Sequence, residues 1–256
     1  MIEIVNVTKR FPVYDDNLAP NEQVRDGFFY ALDDVSLSIK ENAVSGMDGG
    51  CTIIAGANGS GKSLLMSIIA GLEEPTSGTV HTSSYVGLVF QEPDAQILGE
   101  TPREDIAFGP RNMKLQKKEI LSRVENALAQ TNLESRADFP ARSLSGGEKR
   151  RLATAGVLAM DAKIIIFDEP YANLDYPGVV QVNRLFHKLI ADGKTVLILT
   201  HELEKCLALA IRFIVLCRGK IVFDGLPKDA LEKDLALWGI HHPLKNEARS
   251  LEDLLW

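Results

Sequence analysis

Gly56-Ala57-Asn58-Gly59-Ser60-Gly61-Lys62-Ser63 sits between an apolar run, Cys51 to Ala55, and a helix-like stretch, Leu64 to Ala70, closed by Gly71. Strand, glycine-rich loop and helix together form a phosphate cradle. Glycines let successive backbone N–H groups converge on an anion, and the helix adds its unpaired amides and dipole. Lys62 can reach the β- and γ-phosphates, and the Ser63 hydroxyl can ligate Mg²⁺. A second chemical run is Ile164-Ile165-Ile166-Phe167-Asp168-Glu169. Two carboxylates at the end of an apolar strand stand where α/β folds build ligand sites. Asp168 suits orienting Mg²⁺ through water, and Glu169 suits polarising an attacking water as general base. A third is Leu144-Ser145-Gly146-Gly147-Glu148. Ser145 and Glu148 make a capping box, and Gly146 and Gly147 expose first-turn amides, so a helix N-terminus offers a second anion site.

These residues need a scaffold, and the pattern around them supplies one. Ile2 to Phe11 and Leu32 to Ile39 alternate apolar and polar residues, as half-buried antiparallel strands do. Pro12 to Tyr30 and Glu41 to Gly50 read as irregular. Thr101-Pro102-Arg103-Glu104 is a helix start, and Thr101 to Met160 is helical in pattern. Lys163 to Phe167 and Thr195 to Thr200 are continuous apolar runs, expected of strands buried on both faces of a parallel sheet. Between them Val179, Val182, Leu185, Phe186, Leu189 and Ile190 repeat at helical spacing, and Gly193 follows. Phe213 to Phe223 reads as a hairpin turning at Arg218-Gly219, and the tail from Leu226 to Trp256 as mostly helical. The fold class is α/β.

The chain has 256 residues, 45% hydrophobic and 25% charged, as expected for a globular α/β protein. A formal charge of −7 offers no general support for binding nucleic acid, and none is expected as a partner. No apolar run approaches the roughly 20 residues of a transmembrane helix, and the N-terminus lacks the basic and apolar regions of a secretory signal. Cys51, Cys206 and Cys217 have no metal-ligand or redox spacing and read as reduced thiols.

Taken in order, the motifs resemble those of the ATP-binding cassette (ABC) ATPases. Gly56 to Ser63 is similar to Walker A, Gln91 to the Q-loop glutamine, and Leu144 to Glu148 to the signature. Ile164 to Glu169 is similar to Walker B, Ala172-Asn173-Leu174-Asp175 to the D-loop, and His201 to the switch histidine. The resemblance implies a P-loop NTPase fold over residues 1–225: a RecA-like core, an antiparallel β-subdomain and a helical subdomain near 92–158. Residues 226–256 would be a short helical tail. It implies ATP contacts from Gly56, Asn58, Gly59, Ser60, Gly61, Lys62, Ser63 and Leu64. Mg²⁺ would be held by Ser63, Gln91 and Asp168, and catalysis carried by Glu169, His201, Gln91 and Lys62. Ser145, Gly146, Gly147 and Glu148 would act in trans on ATP held by a second such subunit, with Asp175 communicating across the pair. Adenine would stack on Phe11, with Tyr14 and Phe28 to Tyr30 as rivals.

Gln91 to Leu98 and Glu104 to Pro110 further resemble the region after the Q-loop of energy-coupling factor (ECF) and cobalt-uptake ATPases. This implies a peripheral subunit at the cytoplasmic face of the cell membrane, working with a T-component and a substrate-capturing subunit. The cargo would be a vitamin or a transition-metal ion: cobalt, nickel or a biotin-like solute. A soluble ABC ATPase acting on nucleic acid or ribosomes, or the ATPase of another transporter class, is the alternative.

Overall fold

The apolar runs at 51–55, 164–168 and 195–199 form adjacent parallel strands in which every residue but Asp168 is buried. A computed structural model describes residues 1–14, 23–40 and 51–244; part of the first irregular segment, the whole of the second (41–50) and the tail's last twelve positions lie outside these. The described elements are β1 (Ile2–Pro12), β2 (Val24–Arg25), β3 (Phe28–Ile39), β4 (Cys51–Ala55), α1 (Lys62–Ile69), β5 (Ser77–Thr82), β6 (Val86–Val89), α2 (Pro102–Asn112) and α3 (Lys117–Thr131). There follow α4 (Gly146–Ala159), β7 (Ile164–Asp168), α5 (Tyr176–Ala191), β8 (Thr195–Leu199), β9 (Ala210–Cys217), β10 (Lys220–Gly225) and α6 (Pro227–Ala230).

One sheet runs β10-β9-β4-β8-β7-β6, parallel throughout except for β10, which pairs antiparallel with β9. Because side chains alternate along a strand, each central strand feeds two cores. Ile53, Ile165 and Ile198 pack with Val157 of α4 and Phe186 and Leu189 of α5. Ile54, Ile166 and Leu197 pack with Leu65 and Met66 of α1 and with Val35 and Leu37 of β3. That second core joins the parallel sheet to an antiparallel sheet of order β2-β3-β1-β5. A third cluster holds α2, α3 and α4 together through Ile106, Val124, Leu128 and Leu152.

The local signals hold where they were strongest. The Thr101 hydroxyl accepts from Glu104 N–H at 3.3 Å with Pro102 in the first turn, and α4 opens on a complete capping box. Two expectations change, and one strand was not anticipated. Phe28 to Tyr30 belong to β3 because they pair with Pro12, Phe11 and Arg10 of β1, a contact no local pattern shows. The mostly polar strand β5 likewise owes its existence to pairing with β1. Residues 226–244 are not mostly helical: α6 spans four residues and a 3₁₀ turn spans Leu235–Trp238, ended by Gly239 at φ +67°.

Candidate functional site

Parallel pairing sends the C-terminal ends of four strands to one edge of the sheet. Ile54 pairs with Leu199, Leu199 with Asp168, and Phe167 with Val89, so the 56–63 loop, His201, the two carboxylates and Gln91 all emerge there.

The loop is wedged between β3 and the β9–β10 turn. Gly219 N–H donates to Ser60 O at 3.0 Å, and Asp33 N–H donates to Gly219 O at 2.9 Å. Gly61 precedes α1 at φ +101°, and a Cβ there would lie 2.7 Å from Ala31 O and 2.9 Å from a Leu32 methyl. Gly61→Ala should therefore cost about 1–2 kcal/mol for backbone handedness alone, more with the clash. Melting temperature and ATP affinity should both fall; a variant with parental values for both would refute the wedge.

α1 begins at Lys62, two residues earlier than the apolar run suggested, and no side chain caps it. Lys62 is buried, and its Nζ donates to the carbonyls of Gly56 (2.6 Å) and Ala57 (3.1 Å). Burial lowers its pKa, an effect opposed by the fields of Glu169 and Asp168. Asn58, Gly59 and Ser63 are exposed, Leu64 is half-buried, and Ser60 is buried with its hydroxyl unpartnered.

Burial raises the Asp168 pKa, against a hydrogen bond with the Ser63 side chain; neighbouring Glu169 raises it further and Lys62 lowers it. Asp168 Oδ1 is buried without a partner. A hydroxyl and a carboxylate with a free oxygen suit a hard cation. Among the described residues no cluster of three His, Cys, Asp or Glu could hold a metal by itself. Such a donor set fits Mg²⁺ completed by phosphate oxygens and water, rather than a cation caged by protein.

Glu169 adopts φ +44°, a conformation that costs a non-glycine residue about 1–3 kcal/mol and recurs at functional sites. Its N–H donates to Leu199 O at 2.9 Å, and its Oε1 lies 2.9 Å from His201 Nδ1. Oε2 is buried without a partner. The His201 side chain is 55% exposed against 9% for Glu169, so the imidazole roofs the carboxylate on its open side.

The signature-like run is placed apart from this group. Ser145 N–H donates to Glu148 Oε2 at 2.8 Å and Glu148 N–H donates to Ser145 Oγ at 3.3 Å, while Arg136 holds the other carboxylate oxygen at 3.0 Å. Those backbone and side-chain bonds hold the Glu148 carboxyl below its usual range. Ser145 and Gly146 are exposed beside a cleft of about 700 Å³ that is also lined by Gly147, Gln91, Asn173 and Asp175, and by no residue of the 56–63 loop. Asp175 caps α5, accepting from Gly178 N–H at 2.9 Å. The structure thus gathers Lys62, Ser63, Asp168, Glu169 and His201 at one locus and Ser145, Gly146, Gly147 and Asp175 at another, with Gln91 bordering the second.

Phe11 is not a core residue: its ring is 43% exposed near the end of β1, with Lys9 Nζ 5.5 Å from its centre. Phe28 and Tyr30 each carry a guanidinium over the ring, from Arg10 at 4.2 Å and Arg25 at 3.9 Å. Arg150 escaped the reading of the sequence altogether. It is buried at the head of α4 and donates to the backbone oxygens of Gln91 and Ala172. A signal existed: Arg150 falls on the helical stripe of Ala153, Thr154 and Val157, all buried.

A family profile described as "ABC transporter" matches residues 32–172. The energy-coupling factor transporter ATP-binding protein EcfA of Carboxydothermus hydrogenoformans is 40% identical over 216 residues, which are 77% of this chain and 77% of that protein. The structure of cbiO1 from Clostridium perfringens, described as part of the ABC transporter complex cbiONQ, superposes with a TM-score of 0.74 at 31% identity, covering 91% of this chain and 90% of that one. A dimeric ATP-binding cassette in a post-hydrolysis state bound to ADP and Pi superposes with a TM-score of 0.71 at 28% identity, covering 89% of this chain and 99% of its own.

Proposed function

The chain belongs to the ABC transporter family, and from that membership we propose that it is the ATP-hydrolysing subunit of an ECF-type importer of a vitamin or a transition-metal ion such as cobalt or nickel. One observation carries the ATPase reading. Glu169, with a free buried oxygen, stands under His201 and beside Asp168, Ser63 and Lys62 at the mouth of a phosphate loop, while Ser145 to Gly147 face another cleft.

In this reading Lys62 leaves the Gly56 and Ala57 carbonyls for the β- and γ-phosphate oxygens, and the loop amides hold the rest of the triphosphate. Ser63 and Asp168 would hold Mg²⁺, joined by Gln91 from the edge of the neighbouring cleft, and the ion would supply charge neutralisation at the phosphates. Glu169 accepts a proton from the attacking water, and His201 fixes its carboxylate and contacts the γ-phosphate. Phe11 stacks on adenine. Ser145, Gly146 and Gly147 complete the site of a second ATPase subunit, with Asp175 at the shared boundary. The cassette spans residues 1–225 with a helical subdomain near 92–158, and 226–256 form the tail.

Among the described residues no helix is long and apolar enough to cross a membrane; in this reading a separate subunit crosses it. A groove of about 420 Å³ lies beside the Gln91 segment, lined by Gln96, Leu98, Phe108, Met113, Val157 and Met160. Leu98 is 67% exposed there, and Phe108 and Met113 are 48% exposed. A groove of this kind, largely apolar with Asp105 and Asn112 also in its lining, suits a helix from an integral membrane partner. The chain then sits at the cytoplasmic face of the membrane. Purification from detergent-solubilised membranes should bring down a T-component and a substrate-capturing subunit, and Leu98→Glu should abolish that recovery. Stable enrichment with ribosomes or DNA instead would overturn the importer reading.

A further inference from the structure

Arg150 is only 8% exposed. Burying a guanidinium costs several kcal/mol unless hydrogen bonds and an anion compensate. Its Nη2 donates to Gln91 O at 3.4 Å and Ala172 O at 3.3 Å, both long bonds, and its Nε is buried without a partner. A matching vacancy exists in Glu202, the residue after His201. Lys205 holds Glu202 Oε1, but Oε2 is buried without a partner. Burial lowers the Arg150 pKa, and Glu202 supplies the opposing field. Arg150 therefore bridges the segments that carry Gln91 and Asp175, from a root one turn inside the helix that carries Ser145, and feels the charge of Glu202 from the segment that carries His201.

We propose that Arg150 is a positioning residue that ties the signature helix to the Gln91 and Ala172 backbones and pairs with Glu202 when the ATP site closes. The inference rests on reading Gln91, Ser145 and His201 as parts of that site. Two buried, complementary hydrogen-bonding atoms, each without a partner, favour a rearrangement on closure that joins them. Joined, they fix Glu202 and with it the backbone of His201, which holds Glu169. Arg150 touches no phosphate in this scheme and acts through its neighbours.

The test is a double-mutant cycle on the full chain with Arg150→Gln, Glu202→Gln, both together, and Arg150→Lys. ATP affinity is read with a fluorescent ATP analogue, turnover at saturating Mg²⁺-ATP, and folding by melting temperature. Each single variant should keep its affinity within about threefold and lose about tenfold in kcat, and the double should be no worse than the worse single. Arg150→Lys should recover part of the turnover. Unchanged kcat in a folded Arg150→Gln or Glu202→Gln variant, or a double-variant loss equal to the product of the two, overturns the proposal. Should Arg150→Gln fail to fold, the Glu202→Gln arm decides alone. Glu169→Gln serves as the control. If it hydrolyses ATP normally, the reading of the ATP site falls; if it is inactive while Glu202→Gln is not, only the role of Arg150 falls.

Discussion

Glu169→Gln is expected to bind ATP as tightly as the parent chain and to turn it over about 10²–10⁴-fold more slowly. The substitution preserves shape. A glutamine oxygen or amide can still meet His201 Nδ1, now 2.9 Å from Oε1, with the histidine tautomer adjusting to suit. The φ of +44° is no harder for glutamine than for glutamate, so the backbone turn after β7 stays. What disappears is a carboxylate able to take a proton at Oε2, the buried oxygen that no protein group occupies. Lys62, Ser63 and the loop glycines, which hold the phosphates, are untouched. The two effects therefore separate cleanly: equilibrium binding of a fluorescent ATP analogue should be parental, and steady-state phosphate release should collapse. Near-normal hydrolysis would remove Glu169 from the role of base. Asp168, which the proposed reading assigns to Mg²⁺, is not expected to replace it.

The part of this site built from short sequence segments is legible in the sequence alone. Glycine spacing at 56–61, the cap and box at Ser145 and Glu148, and an apolar strand ending in Asp168 and Glu169 are local statements, and local geometry honours them. Strand periodicity also showed which runs are buried on both faces. What stayed hidden depends on partners distant in the chain. Phe28 to Tyr30 carry strand propensity, yet only β1 across the sheet makes them a strand. The clamp on the phosphate loop comes from Ala31, Leu32 and Gly219, none of which carries a recognisable chemical signal. Arg150 looks like one more charge in the basic run Lys149-Arg150-Arg151. Its burial follows from the packing of α4 against β6 and the 170–175 segment, which no window of the sequence contains.

Ser145→Arg is expected to abolish ATP-driven pairing of subunits and to lower hydrolysis by at least about 10²-fold, the scale of losing a transition-state anion donor. Ser145 and Gly146 are exposed at the rim of their cleft, and no atom lies within 4 Å of a Cβ placed on Gly146. Nothing in the same chain fills that space, so a phosphate held by a second subunit can. A long arginine there obstructs the approach and also removes the hydroxyl that accepts from Glu148 N–H. Ser145→Ala separates the two consequences: loss of the cap costs about 1 kcal/mol of stability but leaves the rim open. Mixing supplies the sharper reading. Lys62→Ala disables the phosphate loop and leaves the signature intact, whereas Ser145→Arg does the reverse. If two copies of this chain share their sites, the mixed pair keeps one wholly parental site, joining the loop of one variant to the signature of the other. Equal mixing of two inactive variants should then restore about a quarter to a half of the parental rate: a quarter if subunits pair at random, so that half the pairs are mixed, and a half if only mixed pairs form, each with one of its two sites working. Unchanged ATP-driven pairing in Ser145→Arg would remove the signature from the interface. Pairing that is lost, with no recovery on mixing, would mean that the completing signature comes from a different subunit.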